Sequence, residues 1–171
     1  NTGTTGNPSI SGLAKRLVQA VANADGTTDA TFEFNLENFG TTDLMNVQVT
    51  DDLAAVFAPC ATPTVRSLTS SNFNVNQNFT GSGANTGLLA AGNTLDVGEK
   101  SSILLTIRIP ACSTTSFVNT ATLTGTAPDG STVTDISNNG ITPNPPNNDG
   151  TPVNTGTTGN PSISGLAKRL V

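Results

Sequence analysis

Asp29–Asn38 reads DATFEFNLEN. Phe32, Phe34 and Leu36 share one parity, and Thr31, Glu33, Asn35 and Glu37 share the other. A period of two marks a strand with one buried face and one wet face, as in an antiparallel sheet. Ser101–Pro110 repeats the pattern. Ile103, Leu105, Ile107 and Ile109 face one side, Leu104, Thr106 and Arg108 face the other, and Pro110 ends the run because it has no amide to donate. Ser11–Val21 is apolar enough for a helix, but it runs into the turn signal Asn23-Ala24-Asp25-Gly26 and then a plain strand, so it reads as a strand.

Further along, Phe39–Asp43 is a turn. Leu44–Thr50 is a strand with Met45, Val47 and Val49 inward, and Asp51–Phe57 is a helical turn crossing one end of the fold. Val65–Thr69 and Phe73–Val75 read as short strands, followed by a long polar loop, Asn76–Asn93, that holds Gly81, Gly83, Gly87 and Gly92. Phe117–Gly125 alternates Phe117, Ala121 and Leu123 against Val118, Thr120, Thr122 and Thr124. The tight turn Pro128-Asp129-Gly130 leads into Ser131–Ile136. Roughly seven to nine short strands, with turns about every ten residues, predict an all-β, immunoglobulin-like antiparallel β-sandwich. The Cys–Trp–Cys core pattern of antibody domains is missing.

The composition narrows the function classes. Hydrophobic residues make up 35% and charged residues 11%, where ~25% charged is usual. Thr, Asn, Ser and Gly fill the gap, so the core must be thin, as between two sheets. With no His, the chain lacks the commonest general base and transition-metal ligand near neutral pH. A net charge of −5 with 7 Lys+Arg offers no basic stripe for nucleic acid. No run is long and apolar enough to span a membrane. No nucleophile–base pair can be named among the Ser, Thr and Asp residues, so the chain reads as no enzyme.

Asn1–Val18, NTGTTGNPSISGLAKRLV, returns unchanged as Asn154–Val171. A fixed period marks a tandem array, and here the period is domain-sized. Residues 1–11 read as an inter-repeat linker, 12–137 as the sandwich, and 138–163 as a Pro/Asn/Gly/Thr-rich linker. Residues 164–171 then read as the first strand of the next repeat. The second linker, about 25 residues, reaches about 75 Å if stiff and extended and about 25–30 Å as a coil. Because Gly12–Val18 and Gly165–Val171 are identical, either fits the first-strand slot. Use of the local strand gives independent beads; exchange with a neighbour gives an interlocked fibre.

The string LAKRLVQAVANADGTTDATFEFNLENFGTTDLMNVQVTDDLA resembles the opening of the DUF11-type conserved repeat of bacterial surface proteins. Phe117-Val118-Asn119-Thr120-Ala121 is similar to a later strand of that family. The resemblance covers Leu13–Asn148. It implies an immunoglobulin-like sandwich used in extracellular stalks, filaments and adhesins at the bacterial cell surface. Neighbouring repeats of the same protein and homotypic fibre assembly are the partners it suggests.

Four candidate sites follow from the residues. Cys60 and Cys112 are expected to form a disulfide at one pole in an oxidising setting. Closing about 52 residues is worth about 4 kcal/mol on the chain-entropy argument. Calcium is the one cofactor the residues admit, held by Asp51, Asp52 and Asp135 with Asn138 or Asn139 at one end of the sandwich. Lys15 and Asn119 resemble the pair that forms isopeptide crosslinks in some pilin-like and adhesin domains, which need a buried acid such as Glu33 or Asp51. Asn78-Phe79-Thr80 is a glycosylation sequon. The function expected is a mechanical repeat of a secreted surface filament. The alternative is an adhesin module that grips a ligand through Asn76–Asn93, or a subunit of a strand-exchanged polymer.

Overall fold

The computed structural model describes residues 9–113 and 117–144. The second repeat copy and most of the expected second linker lie outside these residues. Eight strands and one short helix are described: β1 Ser11–Ala22, β2 Thr28–Asn38, β3 Met45–Thr50, α1 Leu53–Val56, β4 Thr64–Ser70, β5 Lys100–Ile109, β6 Thr122–Thr126, β7 Thr132–Ile136 and β8 Asn138–Asn139. One sheet runs in the order β4-β5-β2-β1-β8 and the other β3-β6-β7. Leaving β8 aside, this is the strand arrangement of an immunoglobulin constant-type sandwich.

The alternation in β2 and β5 does what its period requires. Ala30, Phe32, Phe34 and Leu36 from β2 and Ile103, Leu105, Ile107 and Ile109 from β5 are fully or almost fully buried. They meet Val47 and Val49 of β3 and Leu123 of β6 in one continuous core. On the outer face of the larger sheet, register is reinforced by charge. Arg16 sits opposite Glu33, Asp29 opposite Arg108 and Glu37 opposite Lys100, and each is an ion pair. Directly opposed unlike charges stabilise that register, and a one-residue slip would break all three pairs.

Three local expectations need correction. Met45 points outward and is 45% exposed, while Leu44 is buried in its place. Asn46 has φ 51, and the register with β6 shifts between Met45 and Gln48. The extra residue of a bulge inverts the parity of what precedes it. Phe73–Val75 is not a strand; only Val75 makes an isolated bridge, to Leu89. The polar loop Asn76–Asn93 is not a loose surface excursion. Phe79, Leu88 and Leu89 enter the core. The Asn76 and Asn93 side chains donate to backbone carbonyls of Gly87, Asn74 and Ala90. Packed so, the loop covers the outer edge of β3, with Gly87 bridging to Thr50.

The domain boundaries also move. Ser9 is buried and β1 begins at Ser11, inside the segment expected to be linker. After β7 the chain crosses between the sheets, and β8 pairs in parallel with Ala14 and Lys15. It then folds back. A Cβ on Gly12 would lie 2.9 Å from the Pro143 Cβ and 3.1 Å from the Asn144 carbonyl oxygen. The expected linker residues Asn138–Asn144 therefore belong to the folded unit.

Candidate functional site

The interior between the two sheets holds a charged side chain. Leu13, Lys15 and Leu17 share the inward parity of β1, and Lys15 is opposite Phe34. Arg16, on the other parity, takes the surface pair with Glu33. Lys15 is 0% exposed. Its Nζ lies 4.9 Å from the Phe32 ring centroid and 4.8 Å from that of Phe34. The two rings that build the core thus also shield the amine from water on their side.

Asp51 directly follows β3 and continues the inward parity of Val47 and Val49. Its Oδ2 accepts a hydrogen bond from Lys15 Nζ at 2.6 Å, with both side chains fully buried. Asn119 precedes β6 and shares the inward parity of Phe117, Ala121 and Leu123. Its Nδ2 donates to the same Asp51 Oδ2 at 3.3 Å. One carboxylate oxygen therefore gathers the lysine amine from the larger sheet and the carboxamide from the segment entering the smaller one. Burial lowers the Lys15 pKa to about 8, against the opposing pull of Asp51.

Two acceptors in this cluster are left over. Asp51 Oδ1 and Asn119 Oδ1 are buried and accept no hydrogen bond. Such groups cost stability when they have no donor. A buried ion pair is also a weak contributor to stability against an apolar replacement. The cluster is thus a poor way to hold two sheets together by non-covalent means alone.

The other expected sites fare differently. Cys60, after α1, and Cys112, after β5, form a disulfide with a Cα–Cα distance of 5.7 Å. That separation is ordinary for a disulfide. Phe57, three residues before Cys60, packs at a tilt against Phe117 with ring centroids 4.6 Å apart, and so ties this pole to the segment carrying Asn119.

The three calcium candidates are not brought to one place. Asp51 faces the Lys15 ammonium. Asp52 caps α1 by accepting the Ala55 amide at 3.0 Å. Asp135 Oδ2 accepts the Leu13 amide at 2.7 Å, and its burial raises its pKa to about 6. Among the described residues, no group of three or more His, Cys, Asp or Glu is placed to hold a metal ion. Glu33 is on the outer face with Arg16, so the acid beside Lys15 and Asn119 is Asp51. Asn78 of the sequon is exposed, whereas Phe79 within it is buried.

A shallow groove of about 370 Å³ lies beside β2 and β5, where Ile141, Thr142 and Pro143 fold back. Its lining carboxylate, Glu37, and its lining amine, Lys100, are paired with each other at 3.1 Å. Among the described residues no helix is long and apolar enough to cross a membrane.

No protein-family model matches the chain, and no curated protein matches it. Weak similarity extends to several chains of solved structures, including the two that follow. The archaellum periplasmic stator protein FlaG from Sulfolobus acidocaldarius is 18% identical, with 72% of this chain and 98% of that chain covered and a TM-score of 0.23. A chain of the archaellum periplasmic stator complex of FlaF and FlaG from the same organism is 18% identical, with 71% and 86% covered and a TM-score of 0.20. At such TM-scores the likeness carries no argument about what this protein does.

Proposed function

We propose that this chain is a non-enzymatic structural module of a secreted bacterial surface filament or adhesin stalk, used in tandem like the DUF11-type repeats it resembles. The observation that carries this reading is the return of Asn1–Val18 as Asn154–Val171. A domain-sized period with a folded sandwich inside it suits a row of beads that projects and spaces something else. The disulfide fits an oxidising compartment. The outward Thr, Asn and paired charges of the larger sheet suit a surface that keeps neighbouring copies from pairing edge to edge.

The Ser11–Ala22 strand of the first copy fills the slot beside β2, which favours beads that each use their own first strand. The Asn76–Asn93 loop, the expected ligand-gripping element, has its buried side chains in the core and two of its asparagines on the backbone. That favours a spacer over a binder.

Two measurements test the proposal together. The gene read beyond Val171 is expected to continue with QAVANADG and to repeat. Gold-labelled antibody against residues 9–144 is expected to decorate surface fibres at regular intervals. A gene without further copies, with label confined to the cytosol, would sink the filament reading.

A further inference from the structure

We propose that Lys15 and Asn119 are joined by an intramolecular isopeptide bond, formed autocatalytically in the folded domain with Asp51 as the acid–base partner. The claim stands apart from the filament reading, because it concerns one domain's covalent structure wherever that domain works.

The two orphaned oxygens point to it. With Asp51 ionised, both Asp51 Oδ1 and Asn119 Oδ1 are acceptors without donors. Moving one proton from Lys15 Nζ to Asp51 changes that. The carboxyl becomes a donor, and the carboxamide oxygen of Asn119 is an acceptor that lacks one. The same transfer removes both charges from an apolar interior and leaves Nζ with a lone pair. Burial, which disfavours the ammonium, drives in the same direction.

The atoms then balance without any added reagent. Neutral Lys15 Nζ attacks Asn119 Cγ, whose oxygen is polarised by the Asp51 acid. A tetrahedral centre forms. Asp51 relays a proton from Nζ to Nδ2, the Cγ–Nδ2 bond breaks, and ammonia leaves. The product is a secondary amide between Nζ and Cγ, and Asp51 ends protonated, holding the proton first taken from Lys15. Nothing is oxidised or reduced. An amine and an unactivated amide do not react at a useful rate in water. Here the fold holds them on one carboxylate oxygen, in a pocket walled by Phe32 and Phe34. Such positioning converts the encounter into a unimolecular step. Asp51 is a catalytic residue in this sense, since it touches both reacting groups.

The topology makes the bond consequential. It would run from β1 in the larger sheet to the strand segment before β6 in the smaller one. No disulfide does this here, since Cys60 and Cys112 both lie outside the strands.

The test is the intact mass of the full chain. After allowance for the two hydrogens lost to the disulfide, the protein is expected to be lighter than its sequence by one ammonia. Protease digestion should release a branched peptide joining the segments around Lys15 and Asn119. Asn119→Asp should form the same bond with loss of water in place of ammonia. Asn119→Ala and Lys15→Arg should keep their full mass and migrate more slowly on a reducing denaturing gel. Asp51→Asn should also keep its full mass. A wild-type chain at full mass, with separate Lys15 and Asn119 peptides, would overturn the proposal. So would loss of water from the wild type, which would place the bond on Asp51. The wild-type mass decides the matter even where a variant does not fold.

Discussion

The disulfide pole and the Lys15 cluster are two ways of tying the same sandwich, and they behave as opposites. The disulfide joins two loops, with both cysteines half-buried and neither inside a strand. It closes residues 60–112 and leaves β1 outside the loop. The Lys15 cluster lies in the dry interior and gathers β1, the end of β3 and the approach to β6 around one oxygen. The pole acts on the unfolded chain by limiting its freedom. The cluster acts on the folded chain, where an uncompensated charge would be ruinous. Sturdiness in such a thin core is thus divided between a tie that restrains disorder and one that penalises separation of the sheets.

The largest expected effect breaks the interior tie. Lys15→Met leaves Asp51 buried without its ammonium and should cost about 3–5 kcal/mol in a urea melt, plus any covalent contribution. Pairing it with Asp51→Leu should recover much of the non-covalent loss, because no charge is then left inside. A single-variant loss below about 1 kcal/mol would place this pair with ordinary surface ion pairs and erase the contrast.

Breaking the pole should cost about as much as the non-covalent part of that loss. Cys60→Ser with Cys112→Ser, or reduction of the wild type, should lower stability by about 4 kcal/mol on the chain-entropy argument. Thermal melts with and without reductant isolate this part, since reductant does not touch the interior cluster. A reductant-insensitive melting temperature would show that the pole contributes nothing.

Phe117 tests whether the two ties communicate, since its ring packs on Phe57 near Cys60 and its chain leads to Asn119. Phe117→Leu should cost about 1 kcal/mol by itself. Combined with the cysteine variant, the losses should depart from additivity. Additive losses would mean that the ties are independent.

The smallest expected effect is a pH dependence from Asp135, which belongs to neither tie but holds the start of β1. Its folded pKa, about 6, is raised above the ordinary 3.8 by burial. The folded state therefore binds this proton more tightly than the unfolded state does. Stability should rise as pH falls from about 6 towards 4, then level off as the unfolded state also protonates. A shift of about 2–4 °C in melting temperature per pH unit is expected within that window. Asp135→Asn, which keeps an acceptor for the Leu13 amide, should flatten the curve between those values. An unchanged slope in that variant would assign the dependence to another group.

The β2 and β5 strands were legible because their apolar residues alternate without interruption. So was the disulfide, because two cysteines in a Thr/Asn-rich chain have few other uses. The Lys15 cluster was half legible. Lys15 lies between Leu13 and Leu17, Asp51 follows Val47 and Val49, and Asn119 lies between Phe117 and Ala121, each on the inward parity of its segment. Parity alone places three polar groups inside. Only the pairing of the sheets shows that they meet, although parity already puts Glu33 on the wet face of its strand and Asp51 on the buried one. Met45 was misread for a related reason. A one-residue bulge at Asn46 resets the parity, and no residue before it announces the change. The Asn76–Asn93 loop looked solvated because polar residues dominate it, yet its asparagines serve its own backbone and let Phe79, Leu88 and Leu89 turn inward.

The return of Pro143 and Asn144 to Gly12 has a geometric consequence for any assembly built from this fold. The polypeptide arrives and departs at the same end of the sandwich. In a row of such domains the sandwich would hang from the thread as a pendant and would not form a link of the chain. The contour length would then be set by the connecting segments, and each domain would stand out sideways as a bristle. Lengthening those segments would stretch the row, whereas enlarging the sandwich would only thicken it.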